Sequence, residues 1–192
     1  SGKWARSPFK GVELYQKTLG IIGLGRIGPL VATRMAAFGM KVIAYDPYIP
    51  DERFKRFKAE KKETLEELLR ESDFITVHTP RTKETMGMIG EKELELLKDG
   101  VRICNVARGG IISEKALMKG LESGKIASAG IDVFEVEPCP DNPLFKFDNV
   151  TVTPHLGADT VEAQQNVGKN IAEQVLNALK GEIVPNAVNL PT

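Results

Sequence analysis

The chain has 192 residues, 42% of them hydrophobic, with 26 basic and 26 acidic side chains and a formal net charge of zero. That length allows one sizeable core, and the even charge balance offers no electrostatic footprint for nucleic acid or a membrane surface. Cys104 and Cys139 are too few for a disulfide scaffold and lack metal-ligand spacing, so no metal site is expected. There is no run of about 18 apolar residues to span a bilayer. Ser1-Gly2-Lys3-Trp4 carries no apolar signal region, and a cytoplasmic protein is the expectation.

Short apolar runs alternate with helical patterns along the chain. Residues 18–22 read as a strand, and 27–38 as a helix ended by Gly39. Residues 41–45 are a second strand. Thr64 opens a short helix over 65–69, with Glu67 placed for a capping box. A strand over 74–77 and a helix over 92–97 follow, then a buried strand over 101–106. Ser113 opens a helix that runs to Glu122 and stops at Gly124. Strands over 127–133 and 150–153 precede a longer helix over 161–179, closed by Gly181. Strands that are apolar throughout, alternating with helices, predict a doubly wound, Rossmann-type parallel sheet with helices on both faces. Ligands in such sheets bind at the carboxyl edge of the strands, near the switch in strand order.

The polar motifs fall at strand ends. Gly23-Leu24-Gly25-Arg26-Ile27-Gly28 lies between the first strand and its helix. Gly23 suits a tight turn, Gly25 a close approach of backbone to pyrophosphate, and Gly28 close helix–strand packing; the helix N-terminus then attracts anionic phosphate. Asp46 ends the next strand, where a carboxylate accepts bonds from ribose hydroxyls and repels a 2′-phosphate; Pro47-Tyr48 supplies no basic substitute, so NAD is favoured over NADP. Arg108, in Asn105-Val106-Ala107-Arg108-Gly109-Gly110, is suited to hold a carboxylate with two parallel bonds. Glu137 follows the next strand and His155 the one after that, a carboxylate and an imidazole suited to acid–base work. His78, before Thr79-Pro80, reads as pocket lining.

Taken in order, Thr18 to Gly28, Asp73 to Pro80, Asn105 to Ile111, Asp132 to Pro138 and Pro154 to Ala158 resemble the D-isomer-specific 2-hydroxyacid dehydrogenases, over essentially the whole chain. The resemblance implies that Arg26 and Ile27 present backbone N–H groups to the pyrophosphate. It implies that Asp46 binds the adenosine ribose, that Thr79, Pro80, Val106 and Ala107 line the cofactor cleft, and that Asp132 lies near the nicotinamide carboxamide. Arg108, His155, Gly157 and Ala158 are also placed against the cofactor. Arg108 would bind the carboxylate of a small 2-hydroxy acid, His155 would take the hydroxyl proton, and Glu137 would stabilise the imidazolium. A homodimer or homotetramer is implied as well.

Asp159 stands where the family commonly has serine, and it is expected to cap the following helix. Residues 1–14 resemble a linker helix and hinge, 15–180 the cofactor-binding core, and 181–192 a return segment. The expectation is therefore a cofactor domain without its substrate domain, able to bind NAD but not to turn over substrate. Competing readings are a glyoxylate- or hydroxypyruvate-reducing member of the family and an NAD-sensing corepressor of the C-terminal binding protein type.

Overall fold

The computed structural model describes Trp4 and residues 11–187. It divides into two compact units, residues 1–154 and residues 155–192. The expected linker helix over 1–14 falls mostly outside the described residues; 11–14 are not helical.

The first unit is built on seven parallel strands: β1 (Thr18–Ile22), β2 (Lys41–Tyr45), β3 (Glu60–Lys61), β4 (Phe74–Val77), β5 (Val101–Asn105), β6 (Ile126–Ile131) and β7 (Val150–Val152). Their spatial order is β3-β2-β1-β4-β5-β6-β7. The chain moves outward from β1 to β3, then returns to the other side of β1 at β4. That reversal opens a crevice at the carboxyl ends of β1 and β4. Register places the motifs level there, because Ile22 pairs with Tyr45 on one side and Val77 on the other. Gly23, Asp46 and His78 each follow one of these three residues.

Apolar side chains on the two faces of β1 and β2 feed two cores. Ile22 and Ile43 join Leu68 and Leu69 of α3 (Leu65–Glu71) and Leu117 of α5 (Glu114–Glu122). Leu19, Ile21, Val42 and Ala44 pack with Ala32 of α1 (Gly28–Ala37) and Phe54 of α2 (Asp51–Arg56). The remaining α-helix of this unit among the described residues is α4 (Glu91–Leu94). Local signals explain the boundaries. Pro29 sits in the first turn of α1, where its missing N–H costs nothing. Thr64 accepts from the Glu67 N–H at 3.2 Å. The Glu67 carboxylate reaches the Glu63 N–H, one residue earlier than a capping box requires.

The structure adds α2, β3 and a 3-10 turn over Pro143–Lys146 to the expected elements. Five of the six residues of α2 are charged and only Phe54 is buried, so no apolar period marks it. β3 is two charged residues held by pairing to β2. The expected helix over 92–97 is shorter, because the N–H groups of Glu95, Leu96 and Leu97 bond three residues back. β5 stops at Asn105, whose side chain captures the Ala107 N–H and turns the chain.

The second unit contains α6 (Val161–Leu179). Thr160 caps it, accepting from the Ala163 N–H at 3.1 Å. Asp159 does not take the capping role expected of it; its carboxylate accepts from Gln164 Nε2 instead.

Candidate functional site

The glycine loop leaves β1 with Gly23 at φ +94°, a conformation that favours glycine, and a Cβ there would lie 2.7 Å from the His78 carbonyl oxygen. At Gly28 a Cβ would meet the Gly23 carbonyl oxygen at 2.2 Å, so both glycines are required for loop, helix and β4 to close up. Gly25 differs, with nothing within 4 Å of an added Cβ. Its open side is where a ligand can approach the backbone. The side chains of Arg26 and Ile27 are exposed, and among the described residues no group accepts from their N–H groups. The carboxylate of Asp46 accepts from the Leu24 N–H at 2.8 Å and from the Tyr48 N–H at 3.1 Å, which fixes it against the loop.

Gly23, Gly25, Asp46, Tyr48, His78, Thr79, Pro80 and Met88 line one cleft of about 360 Å³. Thr79 Oγ1 is buried beside it and, among the buried side-chain oxygens of the described residues, lacks a hydrogen-bond partner. Open backbone at Gly25, an anchored carboxylate and an orphan hydroxyl in one cleft fit a dinucleotide. They leave room for phosphate, an acceptor for ribose and a donor for a polar ligand group. His78 is half-buried, and burial pushes its pKa down to about 4. Its Nε2 lies 3.0 Å from Thr76 Oγ1. The imidazole is therefore neutral at physiological pH, which accords with pocket lining.

The loop after β5 is shaped by Asn105, which is 2% exposed. Its Nδ2 donates to the Arg108 carbonyl at 3.0 Å while Oδ1 accepts from Ala107 N–H at 3.1 Å. Val106 and Arg108 are exposed and Ala107 is half-buried; Arg108 Nη1 donates to the Ala107 carbonyl. Gly109 presses on the next loop, where an added Cβ would stand 1.7 Å from the Phe134 carbonyl oxygen. The Arg108 loop and the loop carrying Glu137 are thus in direct contact. Asp132 is buried at the end of β6 and accepts from Thr153 Oγ1 at 2.5 Å. Glu137 is exposed, and its Oε1 accepts from the Phe134 N–H at 2.9 Å.

His155, Gly157 and Ala158 open the second unit, all three exposed. His155 adopts φ +58°, an uncommon left-handed conformation for a residue with a side chain. Cys104 and Cys139 are free thiols. Burial and the Asp132 carboxylate push the Cys104 thiol above its ordinary pKa, which disfavours the nucleophilic thiolate.

Sequence reasoning did not single out three supports of the site. Asn105 could have been recognised as a side-chain turn former at a strand end. Glu114 and Glu135 exchange bonds, each carboxylate accepting from the other's N–H, at 2.8 and 2.9 Å; 21 residues separate them, and no short-range signal links them. Arg53 binds the glycine loop from α2 and was hidden with that helix.

The family model of the D-isomer-specific 2-hydroxyacid dehydrogenase NAD-binding domain matches residues 1–157. The chain is 54% identical over 192 residues to a D-3-phosphoglycerate dehydrogenase of Archaeoglobus fulgidus, covering all of this chain and 36% of that protein. It is 51% identical over 191 residues to a D-3-phosphoglycerate dehydrogenase of Bacillus subtilis, again covering all of this chain and 36% of the relative. The holo D-mandelate dehydrogenase of Rhodotorula graminis superposes with a TM-score of 0.87 at 35% identity, over 94% of this chain and 54% of that one. The chain thus spans little more than a third of the curated relatives it matches. It belongs to the D-isomer-specific 2-hydroxyacid dehydrogenase family, and these residues form the NAD-binding domain of that family.

Proposed function

We propose that this chain is the cofactor-binding part of a D-3-phosphoglycerate dehydrogenase, which oxidises 3-phosphoglycerate to 3-phosphohydroxypyruvate on the route to serine. The observation that carries the cofactor assignment is the single cleft joining the open Gly25 backbone, the anchored Asp46 carboxylate and the orphan Thr79 hydroxyl. The relatives' names support the substrate. Gly23 to Gly28 hold the pyrophosphate, Asp46 the adenosine ribose, and Thr79, Pro80, Val106, Ala107 and Asp132 flank the rest of the dinucleotide. Bound NAD supplies the hydride acceptor. Arg108 holds the substrate carboxylate, and His155 takes the hydroxyl proton; Glu137 is the third catalytic side chain. A cytoplasmic homodimer or homotetramer completes the reading.

Calorimetric titration of the 192 residues tests it. NAD is expected to bind more tightly than NADP, because the Asp46 carboxylate, anchored by the Leu24 and Tyr48 N–H groups, would repel a 2′-phosphate. Absence of heat with NAD would sink the cofactor assignment. Equal affinity for NAD and NADP would sink the role given to Asp46.

A further inference from the structure

We propose that Arg53 is a positioning residue for the pyrophosphate loop, acting through the peptide carbonyls of Leu24 and Gly25. The inference rests on the reading of Gly23 to Gly28 as a phosphate cradle. Arg53 Nε donates to the Leu24 carbonyl at 3.0 Å, and Nη2 donates to the Gly25 carbonyl. Asp46 Oδ2 accepts from the Leu24 N–H at 2.8 Å. Both backbone polar groups of Leu24 are thus held by side chains.

This grip sets which way the loop faces. Carbonyl oxygens carry partial negative charge and would repel a pyrophosphate. Arg53 engages two of them, while the Arg26 and Ile27 N–H groups stay without protein acceptors. No carboxylate forms a salt bridge with Arg53 among the described residues, so its positive charge stands beside the loop without an ion-pair partner. Guanidinium suits the task because its planar fork sets two donors at a fixed angle and spacing against successive carbonyls, whereas an ammonium is a single rotatable centre. The clamp is firmly mounted. Its guanidinium carbon lies 5.8 Å from the Phe57 ring centroid, Phe54 anchors α2 in the core, and Asp51 ties α2 to Lys61 of β3 at 2.9 Å.

The test titrates the 192-residue chain and its Arg53→Met and Arg53→Lys variants with ADP, NAD and adenosine, with melting temperatures in parallel. Arg53→Met keeps the apolar stem and removes the donors. It is expected to raise Kd for ADP and NAD about tenfold while adenosine, which lacks phosphate, changes by less than about twofold. Arg53→Lys is expected to fall between parent and Met variant, and it serves alone if the Met variant does not fold. Parent-like ADP binding by either variant overturns the proposal. So does an equal loss for adenosine and ADP, which would mark α2 as a purely structural support. A parent chain that binds neither ADP nor NAD removes the cradle reading itself, a failure distinguishable from the others because it precedes any substitution.

Discussion

His78 shows how burial converts a titratable side chain into a neutral wall of the cleft. Its pKa falls from about 6.5 in an unfolded chain to about 4 in the fold, because the buried imidazole loses solvation of its charged form. The unfolded chain therefore takes up the proton first as pH drops. The stability due to neutral His78 is complete above pH 6.5 and is lost between 6.5 and 4, about 3 kcal/mol in all. A His78→Asn variant lacks this dependence, so the stability gap between parent and variant, measured by urea unfolding, is expected to narrow from pH 7 to pH 4.5. A constant gap would show that folding leaves the pKa of His78 unshifted. Other residues of the site differ in how visible they are from sequence. Gly23, Asp46 and Arg108 stand out because residue type and position beside a strand already state their chemistry. Asn105 and Arg53 do not, because an amide and a guanidinium are common surface groups until their acceptors are known. Those acceptors are the Arg108, Leu24 and Gly25 carbonyls, which only the fold brings into reach.

Helices and strands with an apolar period are recoverable to within a residue or two. β1, β2 and β4 have the expected bounds, and α5 runs from just after Ser113 to Glu122 as its cap and Gly124 dictate. Elements held by charge are not recoverable. α2 and β3 depend on Lys61 pairing with Asp51 and on neighbours such as Lys62, whose side chain is 10% exposed between Glu60 and Glu71. Burial opposes the Lys62 charge, but the two carboxylates outweigh it and hold the ammonium above its ordinary pKa. The reciprocal Glu114–Glu135 pair works similarly between elements, tying the first turn of α5 to the loop that carries Glu137. Asn142 Nδ2 adds a bond to the second Glu114 oxygen at 2.8 Å. Glu135→Ala removes a carboxylate from a helix N-terminus and is expected to cost about 1 kcal/mol in urea unfolding, with Glu135→Gln costing less. Equal stability of all three proteins would mean the pair is solvent-screened and idle.

Across the whole molecule, several large apolar side chains remain exposed. Leu30 and Phe38 lie eight residues apart on one face of α1 and its cap, at 50% and 58% exposure. Tyr15, at 61%, neighbours Gly39 at the end of that face. These exposed apolar side chains are available to a second copy in the proposed homodimer or homotetramer. Sedimentation at tens of micromolar is expected to give a dimer or larger; a monomer there would sink that part of the reading. Among the described residues no helix is long and apolar enough to cross a membrane. The amino-acid order by itself determined the parallel α/β architecture, the glycine loop and the acidic strand end, because apolar period, turn chemistry and capping act over a few neighbouring residues. Only the tertiary structure decided which face of that loop is open, which carbonyls Arg53 restrains and how the Arg108 and Glu137 loops abut. Those outcomes depend on contacts between residues 20 or more positions apart, made once the core has chosen a strand order.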